Sequence, residues 1–262
     1  MITLYDNPFS PFARKVRMAL DFKGLSYRAV DALALDQLEN LERVNIRAEV
    51  PVLVEGEVTV VESSDILAYL EDRHPTPAIF PSCPELRAKA RQWQRLADRV
   101  LDAVVHDVSL WVWPTHQRKD EPPAGLVEAA RRDLSAILEQ LEQALGEREY
   151  ICGELSVADL AVFPHTSSFK PLGIVLSERS LPGVHAWFQR MRKQPVVRDD
   201  LEYVKRAAVE KFAGNSSPYE GEKVVWRGDR IEWLLCNGFD DWWSAERASG
   251  RAVIPSSLGR LA

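Results

Sequence analysis

Two places in the first seventy residues of this chain bring together side chains suited to holding a charged ligand. Ser10 follows the strand-like run Ile2-Thr3-Leu4-Tyr5 and the turn-forming Asn7-Pro8-Phe9, and it precedes Pro11 and a helical pattern, which puts a hydroxyl at a helix mouth. Free backbone N–H groups and the positive end of a helix converge at such a position, and together they favour an anion. Further on, Glu49-Val50-Pro51-Val52-Leu53 leads through a Glu55-Gly56 turn to Val58-Thr59-Val60-Val61, which ends on Glu62-Ser63-Ser64. A carboxylate, a hydroxyl and free N–H groups meet there, where a strand gives way to a helix. A plainer reading of Ser10 and Ser63 is that each only caps its helix.

The surrounding pattern supplies the elements that position these residues. Phe12, Val16, Ala19, Leu20 and Phe22 recur at helical spacing over residues 11–23, and Lys23-Gly24 reads as the helix end with a glycine cap. Residues 27–30 alternate as a strand, 36–44 read as a short helix, 50–54 and 58–61 as a hairpin, and 64–72 as a third helix. The order β-α-β-α-β-β-α predicts a thioredoxin-like α/β unit over residues 1–77. Pro75, Pro77, Pro81 and Pro84 then punctuate a linker. Helical patterns over 85–113, 124–145, 156–169, 184–193 and 198–212 predict an all-helical second domain, residues 85–212. Within it, Ser156-Val157-Ala158-Asp159 has the form of a capping box, with Leu155 and Leu160 as its hydrophobic staple.

The C-terminal extension, residues 213–262, holds Trp226, Trp233, Trp242 and Trp243, four of the eight tryptophans, and is too aromatic for disorder. Residues 223–227 and 230–234, around Gly228-Asp229, read as a hairpin and 239–248 as a short helix. The extension is expected to pack over the cleft or a partner subunit.

Composition removes several function classes. A chain of 262 residues, 46% hydrophobic and 27% charged, is that of a two-domain globular protein. A net charge of -6 argues against nucleic-acid binding, which needs a basic face. The start lacks a basic segment followed by an apolar run, and no stretch is long and apolar enough to span a membrane, so no membrane association is expected. Cys83, Cys152 and Cys236 stand far apart with no CxxC pair, which points to a reduced, cytoplasmic setting rather than a zinc or dithiol centre. His106, His165 and His185 have no second ligand at metal spacing and read as ordinary satisfied or surface histidines, so no metal is expected.

Taken together, Ser10-Pro11-Phe12-Ala13-Arg14-Lys15-Val16, Val50-Pro51-Val52-Leu53, Glu62-Ser63-Ser64-Asp65-Ile66 and Gly153-Glu154-Leu155-Ser156-Val157-Ala158-Asp159 resemble the cytosolic glutathione S-transferase superfamily, serine type, over residues 1 to 212. The resemblance implies a thioredoxin-like glutathione-binding domain, an all-helical C-terminal domain, glutathione as cosubstrate and a homodimer. It implies that Ser10 stabilises the glutathione thiolate and that Pro51 is a cis proline leaving the Val50 backbone free to pair with the tripeptide. Ser63 then receives the γ-glutamyl carboxylate and Glu62 faces its ammonium. Tyr5 is the rival hydroxyl, since other branches of the superfamily use a tyrosine near this strand, but its Thr3/Tyr5 alternation suits a packed sheet aromatic. Arg14, one turn on from Ser10, is placed to help hold the helix mouth together.

One departure stands out. Where the superfamily commonly has Gly-Lys before Val-Pro, this chain has Ala48-Glu49, which leaves the glycine carboxylate of glutathione to Gln37, Asn45 or Arg47. For the second substrate, Trp111, Trp113 and His116 end the first long helix of the helical domain and suit a flat apolar electrophile. The expected activity is attack of the glutathione thiolate on a small hydrophobic electrophile, in the service of detoxification. The alternatives are isomerase, dehalogenase or etherase chemistry on the same scaffold, or a noncatalytic binding or interaction protein.

Overall fold

Alternating burial sets the first strand: Ile2, Leu4 and Asp6 point into the protein while Thr3 and Tyr5 are half-buried. The computed structural model describes residues 1–32, 38–113, 120–212, 224–225 and 228–253. Strands β1 (Ile2–Asp6), β2 (Tyr27–Asp31), β3 (Val52–Glu55) and β4 (Val58–Val60) form one mixed sheet in the order β2-β1-β3-β4. β1 runs parallel to β2, with Leu4 opposite Ala29, and antiparallel to β3, with Leu4 opposite Leu53. Helices α1 (Pro11–Phe22), α2 (Leu38–Val44) and α3 (Ser63–Arg73) complete the unit. α3 buries Ile66, Leu67 and Leu70 at helical spacing.

α1 departs from a simple amphipathic helix. All eight residues from Ala13 to Leu20 are buried, among them Arg14, Lys15 and Arg17. The helix packs against α3 and against two helices of the helical part, residues 157–166 and 195–212. Its long polar side chains therefore end in dry surroundings, where each cation needs a carboxylate.

The helical part comprises α4 (Pro84–Leu96), a π-helical turn (Ala97–Leu101), α5 (Asp102–Val112), α6 (Leu126–Leu145), α7 (Val157–Thr166), a 3-10 turn (Lys170–Leu172), α8 (Pro182–Lys193) and α9 (Pro195–Phe212). The single long helix expected over 85–113 is thus interrupted by π geometry, which local periodicity does not reveal. α8 and α9 begin two or three residues earlier than the apolar pattern predicts, with Pro182 and Pro195 as their first residues, where a missing N–H has no cost. The capping box forms, with the Ser156 backbone N–H donating to the Asp159 carboxylate at 3.0 Å. Asp159 also accepts from the Ile151 N–H at 3.1 Å and from Trp187 Nε1 at 2.9 Å. The linker is ordered from the N-terminal side. Glu71 accepts from the N–H groups of Ile79 at 3.0 Å and Phe80 at 3.3 Å, while Lys23 Nζ donates to Glu71, His74 O and Pro77 O at 2.7–2.9 Å.

The extension corrects one expectation. β5 (Val224–Val225) pairs in parallel with β6 (Ala252–Val253), and Gly228–Cys236 is a helix, α10, rather than the second arm of a hairpin. α11 (Asp240–Ala248) matches the expected short helix. α10 packs on α5 and the π turn. Trp233 Nε1 donates to Asp133 of α6 at 3.0 Å, and Trp243 and Leu234 are buried. The described part of the extension therefore packs on the helical part of its own chain. Trp226 lies outside the described residues.

Candidate active site

β1 ends at Asp6, and the chain must turn before α1 can start. The Asn7 side chain accepts from the Phe9 N–H at 2.9 Å, the Asn7 carbonyl accepts from the Ser10 N–H at 3.1 Å, and Ser10 becomes the N-cap of α1. Ser10 Oγ accepts from the Ala13 N–H at 3.4 Å, at the long end of hydrogen-bond distances, and makes no other hydrogen bond among the described residues. Its own O–H is therefore uncommitted. The turn is clamped from behind by Arg17, which donates to Pro8 O at 3.1 Å, to Asp6 at 2.5 Å and to Asp200 of α9 at 2.6 Å. Arg14 meets the other oxygen of Asp200 at 2.9 Å, and reaches Pro164 O and Ser167 Oγ on the α7 side. Arg14 thus ties α1 to the helical part rather than to the helix mouth. Burial raises the Asp6 pKa, against the lowering pull of Arg17.

Ser10 opens onto a cleft of about 940 Å³ between the sheet unit and the helices. Val50, Pro51, Glu62 and Ser63 line the same cleft, so the structure brings these four residues together with Ser10. The Val50–Pro51 peptide bond is cis. Glu62, the N-cap of α3 and a lining residue of the cleft, has φ 64, as unusual for a non-glycine residue as φ 49 at Ala48 in the segment before β3. Burial and the nearby Glu49 push the Glu62 pKa up. Tyr5 is not among the lining residues.

The glycine end departs from expectation in a specific way. Arg47 lines the cleft but is held by Glu49 in a two-pronged pair at 3.0 and 2.8 Å. Asn45 braces that pair, donating to Glu49 O at 3.0 Å and accepting from the Arg47 N–H at 3.1 Å. Of the three candidates for this end, Asn45 and Arg47 both line the cleft, and Gln37 lies outside the described residues.

The three residues expected around a second substrate separate. Trp113 lines the cleft, whereas Trp111 packs edge-on against Trp242 of α11 with ring centres 5.6 Å apart. His116 lies outside the described residues. Several lining residues were not singled out from sequence. Asp98, in the π turn, accepts from the buried Lys15 Nζ at 2.5 Å and from Ser64 Oγ at 2.9 Å, and Gln94 donates to Ser64 at 2.9 Å. Asp102 and Val105 also line the cleft, as do His106 and His165, which read from the sequence as ordinary satisfied or surface histidines. The available signal was a polar stripe at i, i+4 and i+8 (Gln94, Asp98 and Asp102) on a helix that must otherwise be buried.

A sheet unit with a hydroxyl at its first helix mouth, a cis proline before β3 and a helical domain completing the cleft defines the class. The family description "Glutathione S-transferase, N-terminal domain" matches residues 4–78, and "Glutathione S-transferase, C-terminal domain" matches residues 105–195. The chain belongs to the glutathione S-transferase family. It is 32% identical over 205 residues to a probable glutathione S-transferase, GSTU1, of Oryza sativa subsp. japonica, covering 72% of this chain and 84% of that protein. Among solved structures it is similar to a glutathione S-transferase from Rhodospirillum rubrum F11 (28% identity, TM-score 0.67, 77% of this chain and 92% of that one). It is also similar to one from Methylobacterium radiotolerans in complex with glutathione sulfonate (28% identity, TM-score 0.64, 76% and 93%). No described helix is long and apolar enough to cross a membrane.

Proposed function

We propose that this protein is a glutathione transferase in which Ser10 stabilises the glutathione thiolate for attack on a small hydrophobic electrophile. The observation that carries this reading is the convergence of Ser10, Val50, Pro51, Glu62 and Ser63 on one cleft, with the Ser10 hydroxyl uncommitted at the α1 N-terminus. In this reading residues 1–77 bind glutathione, residues 85–212 supply the acceptor side and residues 213–262 brace it; the working form is a cytoplasmic homodimer. The tripeptide lies extended along the Val50 backbone, with its γ-glutamyl carboxylate on Ser63 and the α3 N-terminus and its ammonium near Glu62. Trp113 borders the electrophile.

A hydrogen bond from a hydroxyl to a charged sulfur contributes about 1.5–3 kcal/mol, and the helix terminus about 0.3–1. One pKa unit corresponds to about 1.4 kcal/mol, so together these lower the thiol pKa by one to a few units. That makes the thiolate the major form near neutral pH without Ser10 acting as a base. The test is retention on immobilised glutathione followed by titration of thiolate absorbance in the complex. Ser10→Ala is expected to raise the bound-thiol pKa by about one unit or more and to slow turnover about 10- to 100-fold, with tripeptide affinity nearly intact. A variant that titrates and turns over like the parent would reduce Ser10 to a helix cap.

A further inference from the structure

Most polar groups where α7 meets α1 are paired. Pro164 O accepts from Arg14, Ser167 and Ser168, and Thr166 Oγ1 donates back to the carbonyls of Val162 and Phe163. Arg14 Nη2 and His165 Nδ1 are left without a partner there, and of the two residues His165 borders the cleft. It is 1% exposed and is not the satisfied histidine its sequence setting suggests. Its ring stands edge-on to Phe12, 6.4 Å between centres, and Phe12 lies in the same first turn of α1 that Ser10 caps. Imidazole and hydroxyl therefore border the same part of the cleft.

The surroundings decide the form of the ring. Burial, with the Lys15 and Arg14 cations alongside, pushes its pKa down to about 3, so it is neutral and carries one N–H. A buried polar ring without a partner is costly to leave unsatisfied, and this ring borders the cleft in which an acceptor substrate would lie. Resting on the transferase reading above, the geometry points to His165 as the hydrogen-bond donor to the electrophile. The site is then selective for electrophiles with a carbonyl or ether oxygen close to the carbon attacked. With a conjugated carbonyl, the thiolate sulfur bonds to the β-carbon, the carbon–carbon π pair moves through to the oxygen, and the His165 N–H holds the resulting enolate. Water then protonates the α-carbon, and nothing is oxidised or reduced. An alkyl or benzyl halide offers the ring no oxygen.

The test compares glutathione conjugation of a small α,β-unsaturated ketone with that of benzyl chloride in the parent, His165→Phe and His165→Gln. The ratio of kcat/KM for ketone over halide is expected to fall about 10- to 100-fold in His165→Phe and to recover in part in His165→Gln, which keeps an N–H donor. An unchanged ratio overturns the assignment. A parent that conjugates neither substrate overturns the transferase reading itself, a result told apart from the first by the parent alone. If His165→Phe does not fold, imidazole nitrogen resonances of the parent serve instead: a ketone-bearing S-alkyl glutathione is expected to shift those of His165 and a plain S-alkyl glutathione to leave them in place. Equal shifts, or none, overturn the assignment.

Discussion

The seam between α1 and α9 and the rim before β3 are built from the same chemical pair, a guanidinium and a carboxylate, in opposite surroundings. At the seam Arg14 and Arg17 share the two oxygens of Asp200 in the interior, and Arg17 also carries the carbonyls of the Ser10 turn. At the rim Arg47 and Glu49 meet with equally good geometry but in contact with water. In the dry setting a lost partner leaves a stranded charge, so the pair holds architecture. In the wet setting solvent replaces a lost partner, so the pair is free to set how a ligand is received.

The largest effect should come from the seam. Asp200→Ala leaves the buried Arg14 without a carboxylate and Arg17 with Asp6 alone, and is expected to cost about 3–5 kcal/mol in denaturant unfolding. A loss below about 1 kcal/mol would place the seam with the rim and break the contrast.

His165, beside the seam, sharpens the contrast through pH. An imidazole held to about 3 in the fold, against 6.5 when unfolded, favours folding fully above pH 6.5 and loses that contribution as the pH falls toward 3. The shift sets a ceiling of a few kcal/mol. Unfolding free energies at pH 7 and pH 4 should therefore converge more closely in His165→Phe than in the parent. Parallel acid losses in the two proteins would show that the ring is protonated without difficulty in the fold.

The smallest effect on stability is expected at the rim. Glu49→Gln should change the unfolding free energy by less than about 1 kcal/mol while releasing Arg47 toward the glycine carboxylate of glutathione. Calorimetry should show binding tightened several-fold, and weaker binding would mean that Glu49 orients Arg47 rather than occupying it.

What the sequence reveals follows the same division. Ser10, Val50-Pro51 and Glu62-Ser63 are legible because each sits at a boundary between a strand and a helix, where local residue choice is informative. The capping box at Ser156 and Asp159 is legible for the same reason. The seam is not, because Arg14 and Asp200 are 186 residues apart and Lys15 and Asp98 are 83 apart, and no local pattern couples them. Trp111 and Trp113 look alike in sequence and separate only when α11 brings Trp242 against the first of them. Gly228-Asp229 reads as a hairpin turn from its residues alone, yet the partner of β5 is residues 252–253, beyond two helices.

The pairing of α1 also bears on the order in which the protein is made. Of the carboxylates that neutralise Arg14, Lys15 and Arg17, only Asp6 precedes the linker; Asp98 and Asp200 follow it. On the ribosome the first helix emerges early but meets its last counter-charge only after α9 has been synthesised. The sheet unit cannot close dry around α1 until most of the chain exists, so residues 1–77 made alone would retain a hydrated, loosely held first helix.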